Sequence, residues 1–429
     1  MSTPLTVALL GGGTVGSAVA RLLVQQADDL SARIGRPLVL TGVAVRDSVK
    51  DRPGVPKSLI TTDIAGLAAS GADIVIEVIG GIEPAKSLIE SALKQGSSVV
   101  TANKLLIATH GASLHALAEQ QGVDLYYEAA VAGAIPLLRP LRESLAGDRV
   151  NRVLGIVNGT TNYILSKMYD DGADYSEVLK QAQELGYAEA DPTADVDGFD
   201  SAAKAAILAG IAFHTNVTGD DVFREGISTV SAEDIAAAKS MDMVIKLLAI
   251  AELTQDGTGI IVRVHPAMIP STHPLAGVRD VFNAVFVEAQ SAGHVMFYGR
   301  GAGGAPTASS VLGDVVAAAR NRAAGFVGTA HSNYAELEVR GIGDAYTSYY
   351  LNLHVSDEPG VLAAISSEFA AHDVSIRTVR QDGKGDAANL VVTTHRALDS
   401  KLASTVEALR RLSTVREVAG VMRVEGRVD

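Results

Sequence analysis

The chain of 429 residues contains no cysteine. Without thiols it cannot form a disulfide bond or a thiolate zinc site. The absence also excludes enzymes that oxidise aldehydes to acids through a cysteine thiohemiacetal. Interconversion of an alcohol and a carbonyl stays open, because it needs a hydride acceptor and one proton-transfer group but no covalent intermediate.

The sequence also lacks a run of Lys or Arg and any apolar stretch long enough to cross a membrane. Its formal net charge is −13 and its pI about 5.3, which makes nucleic acid and anionic membrane surfaces poor partners. No basic segment followed by an apolar stretch and a cleavage site precedes the first strand, so we expect a cytoplasmic protein. The length suffices for two or three domains.

A glycine motif follows the first apolar run, in LTVALLGGGTVGSAVARLLV. Gly11, Gly13 and Gly16 have G-x-G-x-x-G spacing between a predicted strand and a predicted helix, which is typical of a Rossmann dinucleotide site. Gly11 permits a tight turn, Gly13 lets the backbone approach a pyrophosphate, and Gly16 allows close helix packing. Thr14 and Val15 belong to the same predicted cofactor loop. A purely structural glycine turn is the alternative.

The second predicted strand, LVLTGVAV, ends in Arg46 and Asp47, where such folds meet the adenosine ribose. Arg46 suits the 2′-phosphate of NADP, whereas Asp47 suits the free ribose hydroxyl of NAD. The sequence leaves this choice open.

The next segments, DIVIEVIGG, EPAKSLIESALKQG and SSVVTANK, predict strand, helix and strand of a parallel α/β sheet. The last of these strands is predicted to end in Asn103 and Lys104, at the edge where such sheets bind ligands, although a surface lysine that caps the strand is an equal alternative. Further on, DLYYEAAVAGAIPLLRPL predicts a strand that breaks at Ala132 and Gly133. Free carbonyls at the break could hold a hard cation.

A second domain begins near Asn151, and its strand-like runs GIIVRVHP, VFNAVFVEA and GHVMFYG predict a mixed α+β sheet. The glycine-rich turn GRGAGG then opens a long predicted helix that we expect to pack back on the first domain. Such a turn can present N–H groups to a phosphate or a nicotinamide amide, and an interdomain hinge is the alternative.

The most acidic segment is GYAEADPTADVDGFDSAAK, in which five carboxylates, at Glu189, Asp191, Asp195, Asp197 and Asp200, precede Lys204. Carboxylates this dense repel one another unless a cation, a metal or an amine lies close by. A predicted helix places Asp200 and Lys204 at i and i+4 on one face. The segment is the strongest candidate for a chemical centre, and the alternative is a solvated loop beside an ordinary salt bridge.

The C-terminal segment from Tyr349 alternates strand and helix as β-α-β-β-α-β, an order typical of ferredoxin-like domains. VSDEPGVLA, from Val355 to Ala363, resembles the opening of an ACT domain. Pro359 and Gly360 set the turn, and the following helix N-terminus can receive a carboxylate. An assembly module without a ligand is the alternative.

Taken in order, GGGTVG, TANK, YYEAAVAGAIP, NGTTNYI, the acidic segment and GRGAGGAPTASS closely resemble the homoserine dehydrogenase family. The resemblance spans roughly residues 5 to 325, and the acidic segment is its most specific part. It implies reversible NAD(P)-linked reduction of L-aspartate 4-semialdehyde to L-homoserine, on the way to threonine, methionine and isoleucine.

The resemblance also implies roles for individual residues. Lys204 matches the proton donor to the aldehyde oxygen, and Lys104 matches a residue between substrate and nicotinamide that assists proton transfer or binds the substrate carboxylate. Glu189 and Asp200 match carboxylates that bind the substrate, and pairing them with its α-ammonium group is physically sensible. Asp195, Thr160 and Tyr187 are further substrate-binding candidates, and Gly303 matches a cofactor-contacting glycine.

Ligands and assembly are also implied by the resemblance. A structural sodium ion is expected on main-chain oxygens of Glu128, Val131, Gly133 and Ile135, and a homodimer or homotetramer is expected. Feedback inhibition by L-threonine is expected through the ACT domain, with Asp357, Pro359, Gly360 and Val361 at its turn.

We predict a dinucleotide-binding domain over residues 1–132, completed by about 301–330, and a substrate and dimerisation domain over 133–300. A linker is predicted over 331–347 and an ACT-like regulatory domain over 348–429. Two rival functions stay open: an amino-acid dehydrogenase, which would release ammonia, and a non-catalytic amino-acid sensor. The four residues Lys104, Glu189, Asp200 and Lys204 argue against the sensor. A fusion to an aspartokinase is not expected.

Overall fold

The computed structural model describes residues 3–382 and 388–426. Residues 1–2 of the predicted dinucleotide-binding domain, and 383–387 and 427–429 of the predicted ACT-like domain, lie outside the described residues. The strands are β1 Leu5–Leu10, β2 Leu38–Ala44, β3 Ile60–Thr61, β4 Ile74–Glu77, β5 Ser98–Thr101, β6 Leu125–Tyr126, β7 Val150–Ile156, β8 Phe223–Arg224, β9 Met243–Leu253, β10 Gly259–Pro270, β11 Phe282–Ala289, β12 Gly293–Arg300, β13 Glu338–Arg340, β14 Tyr346–Val355, β15 Ile376–Asp382, β16 Asn389–Thr394, β17 Ala397–Leu398 and β18 Val415–Val424. The helices are α1 Thr14–Gln25, α2 Ala27–Ile34, α3 Ile64–Ala68, α4 Ala85–Lys94, α5 Lys104–Gln121, α6 Gly159–Asp171, α7 Tyr175–Glu184, α8 Thr193–Val196, α9 Phe199–Phe213, α10 Ala232–Ser240, α11 Gly304–Ala324, α12 Val361–Ala371 and α13 Asp399–Leu409.

The chain forms two compact units. The first unit comprises Met1–Val153, Ala203–Asp220 and Phe282–Glu336. The second comprises Leu154–Ala202, Asp221–Val281 and Leu337–Asp429.

The first unit contains a parallel sheet with strand order β3-β2-β1-β4-β5-β6. Its central strands are apolar on both faces, as helix-covered parallel strands must be, and side chains such as Val7, Leu9 and Ile76 are fully buried. The order reverses between β1 and β4, and open α/β sheets bind ligands beyond such a point. The predicted Rossmann-type sheet is confirmed.

Helix α11 completes the core of this unit although it lies far along the chain. Val311 and Val315 are buried in one apolar cluster with Val19 of α1. Near the end of α11, Arg322 forms an ion pair with Asp73 at 3.2 Å. The long helix after the GRGAGG turn therefore packs against the glycine-motif helix.

The second unit joins a mixed-sheet region to a ferredoxin-like fold. Strands β9 and β10 form a long antiparallel pair, and β18 pairs in parallel with β10 at Ala267 and Met268. The order β18-β14-β16-β15, with α12 and α13, is that of the predicted βαββαβ fold, and this fold has its own apolar core around Leu353, Ile365 and Leu402. The predicted α/β class with a mixed second region and a ferredoxin-like C-terminal fold is confirmed.

Two local features differ from the sequence interpretation. The predicted linker over 331–347 contains β13, which pairs with β10 at Gly259. Lys104 does not end a strand: β5 stops at Thr101, and Lys104 is the first residue of α5. Asn103, the N-cap of that helix, ends the strand because its side chain accepts a hydrogen bond from the N–H group of Leu106.

Within the described residues, no helix combines the length and the apolar character that a membrane span requires.

Candidate active site

The glycine loop between β1 and α1 has the geometry of a dinucleotide cradle. Gly11 has a φ of 111°, a value that side chains rarely allow. A Cβ atom on Gly16 would lie 1.9 Å from the carbonyl oxygen of Gly11, whereas a Cβ on Gly13 would meet no protein atom within 4 Å. Gly16 is thus required by packing. Gly13 faces open space, which leaves its backbone accessible to a phosphate.

A cavity of about 620 Å³ adjoins this loop and is of a size suited to part of a cofactor. It is lined by the glycine loop, the ends of β2 and β4, and three cationic side chains, Arg46, Lys50 and Arg52. Arg46 and Lys50 are exposed. Asp47 also lines the cavity, so the residues present fit a dinucleotide without deciding between a 2′-phosphate and a free hydroxyl.

The carboxylate of Asp47 is engaged in its own loop. It accepts a hydrogen bond of 2.8 Å from the N–H group of Val49. Arg52 is nearly buried and donates to the carbonyl oxygens of Gly12, Asp47 and Lys50. Arg52 thus holds the glycine loop and the loop after β2 together, while Arg46 and Lys50 supply the exposed positive charge.

The turn before α11 meets the glycine loop within the first unit. Gly303 has a φ of 123° and is the N-cap of α11. A Cβ on the next residue, Gly304, would lie 3.1 Å from the carbonyl oxygen of Thr14. The structure therefore brings the turn at Gly303 and Gly304 next to Thr14, the first residue of α1.

The predicted sodium-binding loop lies in buried surroundings in the first unit. Ala132 and Gly133 both have left-handed backbones, with φ of 55° and 50°. The Glu128 carboxylate accepts hydrogen bonds from the N–H groups of residues 137–139, so its main-chain oxygen is the group available to an ion. Val131 and Ile135 are buried. This arrangement fits main-chain coordination, and the described residues contain no group of three or more His, Asp or Glu side chains suited to a metal.

Asp314 of α11 forms hydrogen bonds and an ion pair with residues of this loop and the segment that follows it. Its carboxylate accepts a hydrogen bond of 2.8 Å from the N–H group of Glu128 and forms an ion pair with Arg139. Burial raises the pKa of Asp314 to about 7, and Arg139 opposes that rise. This contact joins the loop that contains Glu128 to α11, the helix that begins at Gly304.

The acidic segment is organised by an asparagine at the end of β7. The side-chain amide nitrogen of Asn158 donates to Asp195 at 2.7 Å and to Asp200 at 2.9 Å. Asp195 is on the short helix α8 and Asp200 is in the first turn of α9. The structure thus brings together two of the carboxylates that the sequence singled out.

Thr160 and Tyr187 also meet in the second unit. The Thr160 hydroxyl donates to the carbonyl oxygen of Tyr187 at 2.7 Å, and the Tyr187 ring contacts that of Tyr163 edge to face. Glu189, two residues later, is exposed, and so is Tyr187. This contact fixes the backbone from which Glu189 projects.

Helix α9 places Lys204 one turn after Asp200, as the spacing predicted, and both side chains are buried. The helix is otherwise rich in Ala, Ile and Leu, so the charged pair lies on an apolar element. Lys104 and Lys204 belong to the first unit, and Glu189 and Asp200 to the second.

The predicted regulatory turn lies in the ferredoxin-like fold. Gly360 has a φ of 96° and precedes α12, whose first residue, Val361, is buried. Asp357 and Pro359 are exposed beside it. The turn has the conformation that the P-G pair predicted.

Sequence reasoning did not identify Asn158, Lys50 or Arg52 as site residues. The cations could have been found from the spacing R-D-S-V-K-D-R after β2. Asn158 could have been found from the N-x-T-T pattern, which is typical of a helix N-cap.

Comparison with known proteins identifies the family. Family models for the NAD-binding domain of homoserine dehydrogenase, for homoserine dehydrogenase and for the ACT domain match residues 11–128, 136–316 and 349–414. The chain is 55% identical to homoserine dehydrogenase of Mycobacterium tuberculosis, covering 99% of this chain and 98% of that protein. It is 54% identical to the homoserine dehydrogenase of Corynebacterium glutamicum, covering 98% and 95%.

Solved structures of similar fold belong to the same family. The crystal structure of a homoserine dehydrogenase from Thiobacillus denitrificans superimposes with a TM-score of 0.92 at 37% identity, covering 99% of this chain and 98% of that one. A hyperthermophilic archaeal homoserine dehydrogenase in complex with NADPH gives a TM-score of 0.62 at 28% identity, covering 74% and 98%. These matches confirm the resemblance, the dinucleotide-binding domain and the ACT domain. The chain therefore belongs to the homoserine dehydrogenase family, oxidoreductases that act on a CH–OH group.

Proposed function

We propose that this protein reversibly reduces L-aspartate 4-semialdehyde to L-homoserine with NADPH, in the biosynthesis of threonine, methionine and isoleucine. The observation that carries the proposal is the buried Asp200–Lys204 turn of α9, with Asp200 hydrogen-bonded to Asn158 in the acidic segment. A carboxylate for an ammonium group and an amine for proton transfer are the groups that this reaction requires.

NADPH supplies the hydride when it is bound. Gly11, Gly13 and Gly16 shape the loop that holds the pyrophosphate, and the turn at Gly303 lies against that loop through Gly304. We assign the 2′-phosphate to Arg46 and Lys50, because these two exposed cations line the cavity beside the glycine loop. The NADPH complex of the archaeal relative also supports this choice of cofactor.

In the proposed reaction the substrate carbonyl carbon gains a hydride and its oxygen gains a proton. Lys204 donates that proton, and Glu189 and Asp200 bind the α-ammonium group. Lys104 binds the substrate carboxylate or assists proton transfer, and Asp195, Thr160 and Tyr187 complete the substrate site. In the reverse direction, Lys204 accepts the proton of the homoserine hydroxyl.

A sodium ion on the main-chain oxygens of Glu128, Val131, Gly133 and Ile135 is part of the proposal. The left-handed backbone at Ala132 and Gly133 supports it, since it turns successive peptide groups in a buried loop. The ion is structural, so replacing sodium with choline should lower the Tm measurably while kcat at a permissive temperature changes little. An equal Tm in both salts would contradict this role.

L-Threonine is the proposed feedback inhibitor, acting at the turn formed by Asp357, Pro359, Gly360 and Val361. The match to the ACT family and the left-handed Gly360 before α12 support this site. A homodimer or homotetramer in the cytoplasm completes the proposal.

The function is tested by following oxidation of NADPH, and in parallel of NADH, by purified protein supplied with L-aspartate 4-semialdehyde. We expect one L-homoserine per NADPH oxidised and slower turnover with NADH. Ammonia consumed or released in step with the cofactor would indicate an amino-acid dehydrogenase. Cofactor binding without turnover would favour the sensor.

A further inference from the structure

The side chain of Asn158 lies where three parts of the second unit meet. Asn158 follows β7 and is the N-cap of α6, and it is almost fully buried. Its carbonyl oxygen accepts a hydrogen bond of 2.8 Å from the Thr161 N–H group and contacts the Thr161 hydroxyl at 3.1 Å. Its amide nitrogen faces Asp195 and Asp200.

Chemistry determines the orientation of this amide. A backbone N–H group can only donate, so the atom of Asn158 that faces Thr161 must be the oxygen. The NH₂ group then faces the two carboxylates, where only a donor fits. Each of its two hydrogens has one acceptor, at 2.7 Å on Asp195 and at 2.9 Å on Asp200.

The two carboxylates lie on successive helices, of which α8 is a single turn and α9 a 15-residue helix. Helix α8 spans only Thr193–Val196, and α9 begins three residues later, after a left-handed Gly198. Two carboxylates that face one amide repel each other, and a donor shared between them reduces that repulsion. Asn158 supplies that donor from a rigid position, because its oxygen caps α6.

The base of α6 is itself firmly held. A Cβ on Gly159 would lie 2.8 Å from the carbonyl oxygen of Val281, so the helix start is in close backbone contact with that segment. One turn on, the Asn162 amide donates to the carbonyl oxygens of Val278 and Asp280. The cap residue therefore cannot shift easily to follow a displaced carboxylate.

We propose that Asn158 is a positioning residue of the substrate site: its amide holds the Asp195 and Asp200 carboxylates together so that Asp200 meets the substrate ammonium group in one fixed geometry. This inference rests on the proposed function of Asp200. Asn158 itself acts through the carboxylates and does not take part in proton or hydride transfer.

Two substitutions of Asn158 distinguish its role in positioning the carboxylates from its role as the N-cap of α6. Asn158→Ser keeps a capping oxygen but removes the NH₂ donor. Asn158→Asp keeps the size and the cap but turns a third carboxylate oxygen toward the other two. We expect KM for L-homoserine to rise about tenfold in Asn158→Ser and more in Asn158→Asp, with KM for NADP within about twofold. Ser231→Ala, which removes the capping box of α10, is the control that lowers stability without raising KM.

The decisive experiment is a double-mutant cycle of Asn158→Ser with Asp200→Asn, in which KM for homoserine and the Tm are measured for each protein. If Asn158 acts through Asp200, the serine substitution raises KM in the wild-type background but changes it little once Asp200 is neutralised. Additive effects on KM, or a lower Tm with unchanged KM in Asn158→Ser, would overturn the inference and leave the role of Asp200 intact. An unchanged KM in Asp200→Asn alone would overturn both.

Discussion

At the scale of single residues, Gly13 at the N-cap of α1 and Gly16 in its first turn differ in what a side chain would contact. A Cβ on Gly16 would overlap the Gly11 carbonyl, whereas a Cβ on Gly13 would project into open space. We predict that Gly13→Ala leaves the Tm of the cofactor-free protein within about 2 °C but weakens NADPH binding about tenfold or more. Fluorescence titration and thermal unfolding measure both quantities.

Two further variants distinguish a loss of cofactor binding from a loss of stability. Gly16→Ala should lower the Tm even without cofactor, because its Cβ has no room. Gly147→Ala, at another glycine whose Cβ would meet no atom within 4 Å, should change neither the Tm nor NADPH binding. Normal NADPH affinity in Gly13→Ala would contradict the placement of the pyrophosphate at this loop.

Lys246 is a buried lysine in the middle of the apolar strand β9. Its ammonium group donates to Asn162 at 2.8 Å and to the carbonyl oxygen of Val278 at 2.6 Å. Burial lowers its pKa from 10.5 to about 7, and the charge of Arg279 acts in the same direction. Between these two values the unfolded chain binds more protons than the folded protein, so the free energy of unfolding should rise with pH over this window.

We predict that Lys246→Met removes this pH dependence. The Tm of the wild type relative to the variant should increase between pH 7 and pH 9 and stay constant below about pH 6, where the lysine is protonated in both states. Lys57→Met, at an exposed lysine, is the control and should track the wild type. A constant difference across pH 7 to 9 would show that Lys246 keeps an ordinary pKa.

At the scale of elements, the parallel pair β10–β18 joins the mixed sheet to the ACT fold, and a buried ion cluster lies beside it. Arg263 of β10 is fully buried and binds Glu252 at 2.6 Å and Glu425 at 3.0 Å. Glu425 also accepts a hydrogen bond from Thr347 at 3.1 Å. The cluster therefore connects strands from both parts of the second unit.

We predict that Glu425→Ala destabilises the protein by about 3–5 kcal/mol, because it leaves part of the Arg263 charge uncompensated. Glu425→Gln should cost much less, since an amide oxygen can still accept from Arg263 and Thr347 while Glu252 balances the charge. Chemical unfolding of both variants checks the difference. Similar losses in the two would indicate that packing, and not charge, sets the stability here.

Local patterns predicted most elements but not this junction. The glycine loop, the acidic helix start and the βαββαβ order each follow from residues close together in sequence. The pairing of β10 with β18 joins residues more than 150 positions apart, for example Ala267 with Arg423, and no local pattern encodes it. For the same reason β13 was assigned to a linker, since a three-residue strand is stabilised by its partner and not by its own composition.

In the candidate site, too, local sequence predicted some features and missed those that depend on distant contacts. The spacing of Asp200 and Lys204 follows from helix periodicity and was correctly predicted. The pair of hydrogen bonds from Asn158 was not predicted, because it joins this residue to α8 and α9, about forty residues later in the chain. The roles of the individual residues, and the domain boundaries, stay predictions.

At the scale of the whole molecule, the ACT fold has its own apolar core, and we propose that it receives an effector. We predict that L-threonine lowers the rate of the wild type and that Asp357→Ala weakens this inhibition without changing the threonine-free rate. Glu358→Ala, at the adjacent exposed carboxylate, is the matched control. If L-threonine changes neither substrate binding nor the rate of the wild type, the proposed regulation is contradicted, whereas the ACT fold is not.

The central claim is that a single turn of α9 carries both substrate recognition and proton transfer. The most direct measurement is the single-turnover rate of NADPH oxidation with L-aspartate 4-semialdehyde in the wild type, Lys204→Met, Asp200→Asn and the control Lys57→Met. We predict that Lys204→Met loses about 10²- to 10⁴-fold in rate with NADPH binding and Tm retained, and that Asp200→Asn mainly raises the substrate concentration required. A Lys204→Met enzyme that turns over at the wild-type rate would contradict the account.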